Sequence, residues 1–203
     1  KNYLVHIGIK GKEIKRDQAG PSNLVFLIDV SGSMYPENKL PLLKRAFKLL
    51  TKQLRSDDRV SIVVYASSTG LVLKPTYGYE KEKIIDAISN LEAGGSTAGG
   101  AGIQLAYKIA EQNFMSDGNN RVILATDGDF NVGISNTGEL VKFIQEKKQK
   151  GIFLTVLGFG EENLKDSRLE KLADDGDGHY AYIDNFNEAK KVFVNELGAT
   201  LFT

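Results

Sequence analysis

Leu24-Val25-Phe26-Leu27-Ile28-Asp29-Val30-Ser31-Gly32-Ser33-Met34 is the stretch on which the fold turns. Five apolar residues run without alternation into an aspartate. A segment apolar on both faces is the pattern of a strand buried in a parallel sheet, covered by helices on either side. At its C-terminal end stand a carboxylate, two hydroxyls and a glycine. Asp29, Ser31 and Ser33 alternate, so an extended backbone aims all three the same way. Gly32 permits a tight turn between the serines. In open α/β sheets this end of a strand is where ligands bind. The oxygens are hard donors, suited to Mg²⁺, Mn²⁺ or Ca²⁺ rather than to a soft metal. Asp and Ser are also ordinary turn residues, so the triplet alone fits a strand that simply ends in a turn.

The flanking chain alternates strand and helix. Leu43, Ala46, Phe47, Leu50 and Leu54 fall at helical spacing and predict a helix over 39–55, with Pro36 and Pro41 at its approach and first turn. Further strands are expected over 59–66, 70–73, 121–127, 151–160 and 179–184. Helices are expected over 80–91, from Ile103 to Phe114, and over 138–150, 166–173 and 187–201. This order predicts a doubly wound, mostly parallel α/β sheet with helices on both faces, a Rossmann-like arrangement. Residues 3–9 alternate as a half-buried strand would, and a polar stretch then leads to Pro21. Residues 1–22 are therefore expected to form a strand or hairpin extension, with the main domain over 23–203.

Composition narrows the function. A chain of 203 residues suits one domain with a small appendage. The formal net charge is zero, so no strongly basic nucleic-acid face is expected, and the charged run 146–150 reads as a solvated helix face. No apolar run approaches the ~20 residues of a bilayer span, so no membrane insertion is expected within this stretch. There is no cysteine, which excludes thiol catalysis, disulfides and Cys-ligated zinc. His6 and His179 lie far apart, in two strand-like segments, which excludes a His-rich metal site. The chain opens on Lys1, so an upstream segment is expected and the domain is read as a monomeric part of a longer chain. An exported, periplasmic or membrane-tethered parent is the favoured expectation, with a cytoplasmic one as alternative.

Oxygen donors recur at two more strand-to-helix junctions. Ser96 and Thr97 follow Gly94-Gly95, and Asp127 closes the strand that ends Ala125-Thr126-Asp127-Gly128. Parallel strands bring such junctions to one edge of the sheet. This constellation resembles the von Willebrand factor type A (vWA) domain and its metal-ion-dependent adhesion site, in its bacterial form. The family pattern is Asp-x-Ser-x-Ser after the first strand, a Thr in a later loop and an Asp after the fourth strand. Asp29, Ser31, Ser33, Thr97 and Asp127 match it in order, over a resemblance that runs from Asn23 to Leu201. Ser96 also offers a hydroxyl; the family's Gly-Gly-x-Thr spacing points to Thr97. The resemblance implies one short antiparallel edge strand, a Mg²⁺ ion (or Mn²⁺ or Ca²⁺), and a protein partner whose Glu or Asp carboxylate completes the shell. It also implies a last helix able to slide when the metal loops rearrange.

Other motifs are near misses. Asp127-Gly128-Asp129-Phe130-Asn131 starts like an EF-hand loop, but Val132 stands where Gly is needed and Gly138 where Glu is needed. Asp174-Asp175-Gly176-Asp177-Gly178 reads as a polar turn. The glycines of 94–102 lack dinucleotide spacing, serving either a tight loop or a loop that shifts, and no phosphate-binding P-loop occurs. An Mg²⁺-dependent phosphatase is the enzymatic alternative, with Asp29 as nucleophile and Asp127 on the metal. Ser31 stands where a haloacid-dehalogenase phosphatase carries its general acid, and no Lys sits in an evident supporting motif, so the chain is expected not to be an enzyme. A scaffold with a purely structural metal is the other alternative.

Overall fold

The structure is a computed structural model that describes residues 20–96, 100–128, 137–160 and 167–196. In chain order the elements are β1 (Ser22–Asp29), a 3₁₀ turn (Gly32–Met34), α1 (Leu40–Gln53), β2 (Arg59–Tyr65), β3 (Thr69–Tyr77), α2 (Lys81–Ser89) and α3 (Gly100–Gln112). There follow β4 (Asn119–Thr126), α4 (Thr137–Gln149), β5 (Ile152–Phe159), α5 (Ser167–Asp175), β6 (Tyr180–Ile183) and α6 (Phe186–Lys190), which runs into a π-helical turn (Lys191–Glu196). The expected strand over 3–9, with His6, lies outside the described residues, as do Thr97, Asp129 and Asn131.

The strands form one sheet in the order β3-β2-β1-β4-β5-β6. Every pairing is parallel except β2 with β3. β1 is buried along its whole length, and its alternate side chains enter two separate cores. Leu24, Phe26 and Ile28 pack in the layer of α1, α2 and α6. Val25 and Leu27 pack in the layer of α3, α4 and α5. This two-sided burial is why the β1 sequence shows no polar alternation.

Strand order runs outward in both directions from β1, through β2 on one side and β4 on the other. The C-terminal ends of β1 and β4 therefore part at a topological switch point. Asp29 is the last residue of β1, and Asp127 immediately follows β4.

Two elements differ from the sequence reading. β3 is nine residues long, Thr69–Tyr77, not the short segment 70–73. Pro75 and the polar residues around it hide the strand, but an edge strand tolerates proline and needs one buried face. Leu73 and Thr76 supply that face, and register shifts opposite Val60, Ile62 and Val63 absorb the extra residues. The last helix is not uniform: α6 starts at Phe186, where the Asn185 side chain accepts from the Glu188 N–H at 3.0 Å, and widens to π geometry at Lys191. Its apolar face is the one the spacing predicts, with Ala189, Val192 and Phe193 buried. Residues 174–178 do form a polar turn, closed by the Asp177 N–H on the Asp174 carbonyl at 3.1 Å. No helix of the described residues is long and apolar enough to cross a membrane.

The base of the sheet is clasped by Asp58, which is buried. Its carboxylate accepts the Ser22 N–H at 2.8 Å and the Arg55 N–H at 2.7 Å, and pairs with the Arg55 guanidinium at 3.2 Å. One side chain thus joins the start of β1 to the turn between α1 and β2. Asp58→Ala removes the shared acceptor of the Ser22 and Arg55 N–H groups and is expected to cost about 2–4 kcal/mol of folding stability, read from urea denaturation.

Candidate functional site

The site is built on the end of β1. The register pairs Asp29 with Tyr65 on β2, and Ile28 with Ala125 on β4, which brings Thr126 alongside Asp29. Asp29 is fully buried. Its Oδ1 accepts the Ser31 N–H at 2.8 Å, and its Oδ2 accepts the Tyr65 and Thr126 hydroxyls, each at 3.2 Å. Burial pushes its pKa above the ordinary 3.8; the Ser31 hydrogen bonds offset part of this, and the Asp127 charge raises it further. The Tyr65 hydroxyl is held well above its usual range, first by burial and then by the Asp29 charge, so it stays a donor.

The loops after β1 and before α3 are laced together. Val30 N–H donates to the Tyr65 carbonyl at 3.0 Å, Gly94 N–H to the Val30 carbonyl at 2.7 Å, and Gly32 N–H to the Gly95 carbonyl at 3.0 Å. Gly95 has φ +81°, and a Cβ there would lie 2.2 Å from Ser67 Oγ, so the position admits only glycine. These contacts carry Ser96 toward the β1 loop, with its N–H on Ser67 Oγ at 3.0 Å. The tight-loop role is thus seen at Gly95, while Gly99 lies outside the described residues. Ser31 is buried and Ser33 exposed, and their hydroxyls share a hydrogen bond of 3.0 Å.

Asp127 is the second carboxylate, and it is only half engaged. Its Oδ2 accepts from Lys39 Nζ at 2.8 Å. Its Oδ1 is buried and has no hydrogen-bond partner among the described residues. A buried carboxylate oxygen without a donor is costly unless a cation meets it. The donor set therefore suits a hard divalent ion: two carboxylates close enough for their charges to interact, and two serine hydroxyls that stand 3.0 Å apart beside them. Among the described residues no group of three or more Asp, Glu or His side chains comes together, here or elsewhere, so the candidate site has two carboxylates and otherwise neutral oxygens.

Of the five residues singled out in the sequence, Asp29, Ser31, Ser33 and Asp127 gather at the switch point, and Thr97 lies outside the described residues. Three residues at the site escaped the sequence reading: Tyr65, Thr126 and Lys39. Lys39 stands in no motif that the sequence reading could have used, and only the fold brings it to Asp127. Beside the cluster lies a groove of about 620 Å³ lined by Met34, Tyr35, Pro36, Leu40, Leu91 and Ala93 among others. Tyr35 stands 78% exposed at its rim.

A doubly wound sheet with oxygen donors gathered at its switch point defines a ligand-binding α/β domain. The family model of the von Willebrand factor type A domain matches residues 23–195, and the chain belongs to that family, whose members are typically protein-interaction and adhesion modules. It is 42% identical over 200 residues to YfbK of Escherichia coli K12, covering 98% of this chain and 35% of that protein. It is 28% identical to inter-alpha-trypsin inhibitor heavy chain H2 of Mus musculus, over 89% of this chain and 20% of that one. The chain thus spans well under half the length of these relatives. Among solved structures it is similar in fold to a von Willebrand factor type A protein from Catenulispora acidiphila, with TM-score 0.74, 23% identity, and coverage of 91% and 43%. BatB from Bacteroides thetaiotaomicron gives TM-score 0.71 at 22% identity, with coverage of 88% and 97%.

The raised pKa of Asp29 has a stability consequence. A carboxyl whose folded pKa lies above its unfolded value destabilises the fold at neutral pH, and that penalty fades as pH falls through the folded pKa toward 3.8. The stability of Asp29→Asn in EDTA, measured relative to the parent, is therefore expected to be most favourable at neutral pH and to fall on acidification, which urea titrations at a series of pH values will show.

Proposed function

We propose that the chain is a divalent-metal-dependent protein-binding module for adhesion or assembly, and not an enzyme. Asp29, Ser31, Ser33 and Asp127 would hold a Mg²⁺ ion at the switch point, with Thr97 as the further ligand that the family pattern adds. Mn²⁺ or Ca²⁺ suits the same donors. When bound, the ion supplies a strong electrostatic contact for a Glu or Asp carboxylate of a partner protein. The observation that carries this reading is the buried Oδ1 of Asp127, which meets no hydrogen-bond donor among the described residues and lies beside a second buried carboxylate.

The chain's own residues divide the work. Ser31, Tyr65 and Thr126 orient Asp29 by donating to both its oxygens. Ser31 and Ser33 add neutral donors, so the site lacks the acidic cage that would saturate an ion and leave nothing for a partner. Exposed Ser33 lies on the solvent side, and the Tyr35 groove offers apolar surface next to it. A phosphatase reading is poorly served, because a carboxylate nucleophile must reach its substrate. Asp29 is fully buried with both oxygens engaged, so toward the ion it would act through its charge and an intervening water rather than as an attacking group.

Calorimetric titration with Mn²⁺ tests the site. Asp29→Ala and Asp127→Ala are each expected to abolish binding while circular dichroism stays that of the parent; undiminished affinity in both variants would overturn the assignment. Capture of a partner from the native organism is expected in Mg²⁺ and not in EDTA. Capture that survives both EDTA and Asp29→Ala would instead support a scaffold with a structural metal.

A further inference from the structure

Lys39 is held in place from several directions. It is the residue before α1, its N–H donates to the Pro36 carbonyl at 2.9 Å, and its carbonyl accepts the Leu43 N–H at 2.9 Å. Its stem passes over Gly160, at the end of β5. Gly160 has φ +97°, and a Cβ there would lie 2.7 Å from Lys39 Cε, so glycine keeps the path open. The ammonium ends 2.8 Å from Asp127 Oδ2, with the two side chains 16% and 3% exposed. A rim lysine that only decorates a surface has no such channel.

From this geometry, and resting on the proposed metal site, we infer that Lys39 is a specificity-determining residue that couples the ion to an anionic ligand. The charges decide it. With Asp29 and Asp127 ionised, the two carboxylates and one ammonium leave the cluster one charge negative. A divalent ion makes it one charge positive, and a ligand carboxylate then neutralises it. Without the ammonium, the ion alone would neutralise the carboxylates, and a ligand carboxylate would bring the site back to negative. Lys39 therefore weakens retention of the ion alone and favours the ion and a carboxylate together. It also draws on Asp127, the carboxylate the ion needs, through Oδ2 alone, and Oδ1 meets no donor among the described residues. A neutral ligand gains nothing from this arrangement, whereas an acidic side chain does.

The experiment titrates Mn²⁺ into the whole chain carrying the parent residue, Lys39→Met, Lys39→Gln or Lys39→Arg. Each is measured in chloride and in acetate at equal ionic strength, with circular dichroism confirming the fold. In chloride, Lys39→Met and Lys39→Gln are expected to bind Mn²⁺ about tenfold more tightly than the parent, the scale of one nearby unit charge acting on a divalent ion through a water-like dielectric. Acetate is expected to raise the parent's affinity by about threefold or more, with the gain retained in Lys39→Arg and lost in the neutral variants. Equal or weaker Mn²⁺ binding by both neutral variants, or the same acetate gain in all four proteins, overturns the role of Lys39 while leaving the metal site standing. Absence of Mn²⁺ binding in every protein and both buffers overturns the metal site and this inference together.

Discussion

Everything in this molecule is arranged around one carboxylate that has no access to water. Two-sided burial of β1 keeps the strand dry to its last residue, and that residue is Asp29. A charge in that position must be met by what the neighbouring strands bring to the same level. Tyr65 comes from the end of β2, Thr126 from the end of β4, and the Ser31 N–H from the departing loop. One side chain thereby ties three junctions of the sheet together at the place where strand order reverses. The hydrogen bonds do not fully offset the burial, and the proton is held more tightly than by an ordinary aspartate.

The two carboxylates of the cluster are unequal, and the inequality has chemical meaning. Asp29 has both oxygens engaged and serves as a fixed buried charge. Asp127 has one oxygen on Lys39 and one with no partner among the described residues. A site built this way is incomplete as a structural element. It suits a domain that recognises something, and the surface beside it, with exposed Tyr35 and a groove of mixed polarity that Glu37, Lys44 and Glu92 also line, gives such a ligand somewhere to lie. The membership in the von Willebrand factor type A family agrees with a binding role.

Much of this was legible in the chain. Leu24 to Ile28 showed a strand covered on both faces, and the helical spacing of Leu43, Ala46, Phe47 and Leu50 showed the α1 face that covers it. Asp29 and Asp127 were legible because they close β1 and follow β4, and Ser31 and Ser33 because they lie in the turn that leaves β1; parallel strands must end on one edge. β3 was under-read because Pro75 breaks the apolar pattern, and an edge strand is held by one face only. The π turn after α6 was hidden because the apolar residues keep their helical spacing through it.

What the sequence determined by itself was the alternation of strand and helix and the identity of the oxygen donors, since both are local: they depend on residue type and on spacing along the chain. Tertiary structure alone decided which groups satisfy those donors. Tyr65 and Lys39 are far from Asp127 in sequence and carry no motif. The β1–β2 register brings Tyr65 to Asp29, and the open path over Gly160 brings the Lys39 ammonium to Asp127. Charge compensation in a buried site is set by distances across the sheet, and those distances exist only once the strands have paired.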